Sequence, residues 1–170
     1  MSELGFVFHP ENCIQCHACD VACKSWRQQE QDVKWRRTLS LWHGVYPDTA
    51  MSTLSVSCMH CSAPACAQAC PAGAVSKRAE DGVVLADPAL CIGCRKCSDA
   101  CPVGAPQFGA DGKMQKCDFC IRGLQADGGT PVCIMACPGQ AIEAVLMGEK
   151  EKSASERVTT TQYTIAMAGK

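Results

Sequence analysis

Residues 91–102 read Cys91-Ile92-Gly93-Cys94-Arg95-Lys96-Cys97-Ser98-Asp99-Ala100-Cys101-Pro102. Three cysteines stand two residues apart, the fourth follows after three more, and a proline closes the run. Working outward, all 16 cysteines of this 170-residue chain fall into such groups of four with none left over. The first group is Cys13, Cys16, Cys19 and Cys23, with the same spacing. The second is Cys58, Cys61, Cys66 and Cys70, with its middle gap widened to four. The fourth is Cys117, Cys120, Cys133 and Cys137, with a middle gap of twelve. Three groups end in Cys-Pro, at Pro71, Pro102 and Pro138.

The C-x2-C-x2-C-x3-C-P run is the one that holds a [4Fe–4S] cluster in bacterial ferredoxins. Three thiolates two residues apart curl a loop around one cubane. The fourth, one helical turn further on, points away toward a neighbouring cluster, so clusters come in pairs. Proline after it stops the short helix. Disulfides place no demand for a repeated spacing of this kind. A zinc knuckle has no use for a third cysteine at the same interval.

Composition agrees. Leu, Ile, Val and Phe number 30, about 18% of the chain, too few for an ample apolar core. The net charge is only −1, so the high charge that marks disorder is missing. A further source of cohesion is needed, and ligation supplies one. The near-zero charge also argues against a nucleic-acid partner. Residues 49–76 lack Asp, Glu, Lys and Arg but are rich in Cys and Ser, which excludes a membrane span there. The opening Met1 to Cys13 has no basic and apolar leader, so no export signal is expected from it.

An internal repeat organises the middle of the sequence. Cys58 and Cys61 recur 33 residues later as Cys91 and Cys94, and Cys66 and Cys70 recur 31 later as Cys97 and Cys101. Residues 54–108 therefore read as an inner two-cluster ferredoxin-like module, with a short β-hairpin turning at Gly82. The first and fourth groups, in 1–53 plus 109–148, form an outer module split around it. The fold class expected is α+β and loop-rich, with short helices and small hairpins. Residues 149–170, rich in Ser, Thr, Glu and Lys, read as a mobile tail, with 158–165 able to form a strand against an open edge.

The four groups in this order resemble the iron–sulfur electron-transfer subunit of the DMSO reductase family of molybdenum and tungsten oxidoreductases. The similarity spans about residues 5–147 and rests on GFVFHPENCIQCHACDVACK, SCMHCSAPAC, CIGCRKCSDACPVGAPQF and the KCDFC and CIMACP segments. Respiratory nitrate reductases carry Trp in their third group, where this sequence has Cys94. The resemblance thus implies four [4Fe–4S] clusters with crossed ligation. Cluster 1 would take Cys13, Cys16, Cys19 and Cys137. Cluster 2 would take Cys117, Cys120, Cys133 and Cys23. Cluster 3 would take Cys58, Cys61, Cys66 and Cys101, and cluster 4 Cys91, Cys94, Cys97 and Cys70. The repeat itself pairs only the inner groups; the family supplies the outer pair.

The resemblance further implies a non-catalytic relay between a membrane or soluble redox partner and a molybdopterin-type catalytic subunit, with a quinol-interacting membrane anchor as an optional third component. A free-standing polyferredoxin is the alternative. Localisation is expected to be periplasmic by co-export with a twin-arginine partner, or else cytoplasmic.

Several residues outside the quartets carry two readings. His60 either tunes its cluster or is a surface imidazole. Arg36 and Arg37 either meet an acidic partner or are solvated. Trp26, Trp35 and Trp42 either anchor an interface or fill the thin core. Gly93, Gly104 and Gly109 either let backbone approach a cluster or simply make turns. The aromatic and basic segment after Cys23 points the outer pair toward the catalytic partner, with loops near Cys66 and Cys97 turned to the donor.

Overall fold

Alternation of apolar and small side chains in Leu4-Gly5-Phe6-Val7-Phe8 sets the first strand, β1 (Glu3–Phe8). The computed structural model describes residues 2–122 and 129–168. A single 3₁₀ turn (Pro10–Asn12) leads to α1 (Ala18–Trp26). The long hairpin β2 (Arg37–Val45) and β3 (Asp48–Val56) follows. Then come α2 (Ala65–Gln68), β4 (Val75–Lys77), β5 (Val84–Ala86) and α3 (Lys96–Asp99). The last elements are β6 (Gln107–Phe108), β7 (Met114–Gln115), α4 (Val132–Met135), β8 (Ile142–Met147) and α5 (Glu149–Ala168). The fold is a small, loop-rich α+β arrangement of short helices and antiparallel strand pairs.

Four two-stranded sheets frame it: β1 with β8, β2 with β3, β4 with β5 and β6 with β7. The β1–β8 pair joins the two ends of the cysteine-bearing region, with Glu3 opposite Met147 and Phe8 opposite Ile142. α1 packs on α4, and α2 packs on α3. The expected hairpin is present, with Val75 opposite Ala86 and Gly82 at positive φ in its turn.

Among the described residues, every apolar cluster includes cysteine. One holds Leu41, Leu54, Val56, Val103 and Ala105 with Cys58 and Cys117. A second holds Val75, Val84 and Met114 with Cys97, and a third holds Ile142 with Cys19 and Cys133. The thin core is thus built around the ligands.

Two elements differ from expectation. Residues 149–168 form a helix, neither a mobile tail nor a strand at 158–165, and it packs on β1, β2, β3 and β8. Its inward side chains recur every three or four positions and are mostly polar. Lys152 bonds Glu3 at 2.7 Å, Glu156 accepts from the Ser62 backbone and hydroxyl at 2.8 Å, and the Arg37 guanidinium lies 5.4 Å from the Tyr163 ring centre. The β2–β3 hairpin is also the longest sheet element, where sequence reading placed only an aromatic, basic segment.

Candidate cluster-binding sites

Each cysteine loop is bent by residues in the left-handed region. In the first group these are Gln15 and His17, and at the same places in the third they are Gly93 and Arg95. His60 and Phe119 play this part in the second and fourth groups. The bend reverses the backbone between cysteines, so that thiols spaced by two residues face one volume. At Gly93 a Cβ would stand 2.8 Å from the Gly112 carbonyl oxygen, so this glycine serves approach of another loop, not of a cluster. The short helix that follows carries the third cysteine: Cys19 in α1, Cys66 in α2, Cys97 in α3 and Cys133 in α4. The fourth cysteine lies one turn later.

Two cavities show which thiols meet. One is lined by Cys13, Cys16 and Cys19 together with Cys137. The other is lined by Cys91, Cys94 and Cys97 together with Cys70. Of the other eight thiols, those of Cys23, Cys58, Cys117, Cys120 and Cys133 are buried and those of Cys61, Cys66 and Cys101 half-buried. Burial pushes the Cys61 thiol up to about 12, and Cys58, Glu156, Cys101 and Cys66 add to the rise. Burial likewise pushes Cys23 up to about 11, with Cys133 and Cys120 acting the same way. Fully buried Cys117 is raised by desolvation, and feels Cys23 and Cys133 as well as Cys58. So Cys23 stands with Cys117, Cys120 and Cys133, Cys101 stands with Cys58, Cys61 and Cys66, and the two sets adjoin.

These sets suit iron–sulfur ligation. All sixteen cysteines are free thiols. Backbone N–H groups already point at sulfur in every set: Ala141 to Cys137 at 3.3 Å, Phe119 to Cys117 at 3.4 Å, Ala105 to Cys101 at 3.3 Å and Met114 to Cys91 at 3.3 Å. Such donors stabilise thiolate sulfur and tune cluster potential. Among the described residues no three His, Cys, Asp or Glu side chains converge closely enough for one metal ion. Each set offers four thiols, the complement a cubane takes.

The residues read two ways now have places. Arg36 is buried, donates to Ser55 Oγ at 3.1 Å and lies 4.6 Å over the Phe6 ring. Burial opposes its charge, but Cys133, Cys117, Cys19 and Cys23 together raise its pKa further. Arg37 donates to the carbonyls of Val103 and Gly104. Neither arginine is a partner anchor or a solvated charge: apolar β3 and the thiols enclose the first, and α5 covers the second. His60 is fully buried, so the surface-imidazole reading is wrong. Its Nδ1 accepts from Val84 N–H at 3.0 Å, and its ring meets Phe119 edge-on, because β5 and the fourth cysteine loop close over the second. Phe119 in turn stacks on Phe6 at 4.3 Å. Trp35 is half-buried and bonds Gln115, whereas Trp26 and Trp42 are exposed. Cys97 is buried and Cys66 partly so; the exposed thiols are Cys16 and Cys94. Sequence reading missed buried Lys116, which bonds the carbonyls of Val84 and Cys117; its place directly before Cys117 was the available signal.

The four sets of thiolate-forming side chains define a ferredoxin-type iron–sulfur protein with four [4Fe–4S] clusters. A family model described as a 4Fe-4S dicluster domain matches residues 49–147, and one described as a 4Fe-4S binding domain matches residues 10–26. The sequence is 40% identical over 151 residues to the B component of the anaerobic dimethyl sulfoxide reductase of Escherichia coli, covering 84% of this chain and 73% of that one. It is 41% identical over 165 residues to the formate dehydrogenase iron-sulfur subunit of Wolinella succinogenes, covering 84% and 81%. It is 36% identical over 162 residues to the B component of the sulfite dehydrogenase of Allochromatium vinosum, covering 83% and 68%. The protein belongs to the 4Fe-4S dicluster family, among the iron–sulfur electron-transfer subunits of the DMSO reductase family.

Proposed function

We propose that this chain relays single electrons through four [4Fe–4S] clusters between a redox donor or acceptor and a molybdopterin-type catalytic subunit. The observation that carries this is the pair of cavities in which three thiols of one group meet the last thiol of another: Cys137 with Cys13, Cys16 and Cys19, and Cys70 with Cys91, Cys94 and Cys97. On this reading Cys23, Cys117, Cys120 and Cys133 hold cluster 2, and Cys58, Cys61, Cys66 and Cys101 hold cluster 3. The outer module, residues 1–53 plus 109–148, is split around the inner one at 54–108. The β1–β8 pairing and the packing of α1 on α4 support that division.

When bound, a [4Fe–4S] group takes up or gives back one electron. The protein supplies position and potential. A protein of this length has a radius of gyration of about 15 Å, too wide to cross in one useful electron hop. Cys117 and Cys58 adjoin, which supports the order cluster 1, 2, 3, 4. Four oxidised clusters take the net charge from −1 to about −9, so buried cations and backbone N–H groups must offset them.

A catalytic partner follows from the names of the relatives, which are components of oxidoreductases. A quinol-interacting membrane anchor is a further component on this reading. Among the described residues no helix is long and apolar enough to cross a membrane. Clusters assemble in a reducing compartment, because disulfides would consume their ligands. Where the complex works outside the cytoplasm, the protein travels loaded as the passenger of a twin-arginine partner.

The test is composition plus ligand grouping. Anaerobically purified protein should hold about sixteen irons and sixteen sulfides, four per cubane. Cys137→Ser should alter the same paramagnetic signal as Cys13→Ser and leave the one altered by Cys120→Ser. Iron near twelve with a three-iron signal before oxidation would count against four cubanes. Grouping of Cys137→Ser with Cys120→Ser would overturn the crossed ligation.

A further inference from the structure

Arg36 is a buried cation whose counter-charge is not a carboxylate. It is 3% exposed, and its Nη2 has no hydrogen-bond partner. The other deeply placed cations are settled differently. Lys152 pairs with Glu3, Arg27 pairs with Asp118, and Lys116 bonds two backbone carbonyls. Among the described residues no Asp or Glu forms an ion pair with Arg36. A guanidinium taken out of water without an anion costs several kcal/mol, so an anion must stand near it. The groups placed to supply it are the sulfurs of Cys133, Cys117, Cys19 and Cys23, which become thiolates when they ligate a cluster. Three of those four belong to one quartet.

The residue is also held rigidly. Ser55 Oγ takes one N–H at 3.1 Å, and the Phe6 ring lies 4.6 Å beneath the guanidinium. Phe6 stacks on Phe119, which lies in the Cys117–Cys120 loop and touches His60 of the Cys58–Cys61 loop. Ser55 Oγ also lies 3.6 Å from Cys19 Sγ, so the charge sits where the first, second and third cysteine sets meet, with three of its four sulfur neighbours in the second, in surroundings where water does not screen it.

We infer that Arg36 is a positioning residue for electrons: its fixed charge holds the potential of the cluster on Cys23, Cys117, Cys120 and Cys133 above the value its ligands alone would set. The inference rests on the quartet assignment proposed above. Each hop moves one electron, oxidising the cluster it leaves and reducing the one it enters; Arg36 keeps its proton throughout. A reduced cluster carries one more negative charge than an oxidised one, so a fixed cation stabilises the reduced state more and raises the potential. Lys116, whose ammonium bonds the Cys117 carbonyl and lowers the pKa of the Cys66 thiol, is a second buried charge shared by the two sets and is unchanged in the Arg36 variants.

The experiment is a redox titration of the full, anaerobically loaded protein, followed by paramagnetic resonance. The signal altered by Cys120→Ser marks the cluster concerned. Arg36→Gln should lower that midpoint by at least a tenfold change in the one-electron equilibrium, about 59 mV. Arg36→Lys, which keeps the charge, should hold it within about twofold, or about 18 mV by the same constant. An unchanged midpoint in Arg36→Gln, or an equal shift of all four signals, overturns the inference. Should Arg36→Gln bind fewer than the wild-type number of irons, Phe6→Leu decides. It keeps the charge but opens it to water, and should lower the same midpoint by a smaller factor. No shift, or a shift at another cluster, overturns the inference. Iron content separates these outcomes from failure of the four-cluster reading, since that reading falls with the wild-type iron count and this one with the midpoint alone.

Discussion

Burial holds the Cys61 thiol up at about 12 and the Cys23 and Cys66 thiols at about 11, against an ordinary 9.0. The direction fixes a pH dependence. The folded metal-free chain keeps protons that the unfolded chain gives up once pH passes about 9. The stability these thiols contribute is complete below that value and is lost as pH climbs toward 11–12. Denaturant unfolding of the reduced, anaerobic, iron-free chain should show its midpoint falling between pH 8 and pH 11. The loaded protein, whose thiols are already deprotonated, should not follow by this route. A flat midpoint for the iron-free chain would show that these thiols are not buried in it. Residue by residue, the ligands were legible because spacing alone encodes them. Arg36 and His60 were not, because their burial depends on β3, β5 and the Cys117–Cys120 loop closing over them, and nothing local in Trp35-Arg36-Arg37 or Met59-His60-Cys61 announces it.

Among the elements, the β4–β5 hairpin was readable from Gly82 between two β-branched runs. The β2–β3 hairpin had a signal of its own: Leu39, Leu41 and then Leu54, Val56 alternate with Ser and Thr. The tryptophans and arginines of that segment interrupt the alternation before and after it. Helix α5 was hidden for another reason. Lys152, Glu156, Thr159, Tyr163 and Ala166 recur at intervals of four and three, but the stripe is too polar for a hydropathy pattern to reveal. What binds it is the Glu3–Lys152 pair, the Ser62–Glu156 bonds and burial of Ala166. Deletion of residues 149–170 should therefore cost on the order of 2–4 kcal/mol, from one charge-assisted pair and the apolar surface newly exposed to water. It should also open the wall of Phe6, Ser57 and Cys58 that α5 covers, so that cluster absorbance bleaches faster in air. Unchanged stability and bleaching on deletion would restore the mobile-tail reading.

At the scale of the molecule, the two exposed thiols mark opposite ends of the proposed wire, Cys16 on cluster 1 and Cys94 on cluster 4. The surroundings differ. Near Cys16 stand exposed Ile14 and Val21, and Gln15 bonds Ser40 of β2 at 3.1 Å. That bond sets the hairpin beside the first cysteine loop, and its far half exposes Trp42, Val45, Tyr46 and Met51. Trp42 and Met51 are cross-strand partners and present one apolar surface. Beside Cys94 along the chain, the comparably exposed apolar residues among those described are Leu90 and Ile92. Permanent interfaces are the more apolar ones, with aromatic anchors, whereas encounters between redox partners are small. The hairpin end thus suits the fixed catalytic partner, and the Cys94 end suits the donor. The anchors differ from those the sequence suggested, since Trp35, Arg36 and Arg37 are turned inward. Exposed positions tolerate change within about 0.5 kcal/mol, so the contrast can be tested without unfolding the protein. Ile14→Glu combined with Trp42→Ala should keep the full iron content yet lose co-purification of the catalytic subunit. Ile92→Glu should keep the complex and slow only its reduction by the donor. Loss of the catalytic subunit from Ile92→Glu, with the Ile14 and Trp42 variant still assembled, would mean that electrons run along this wire with its ends exchanged.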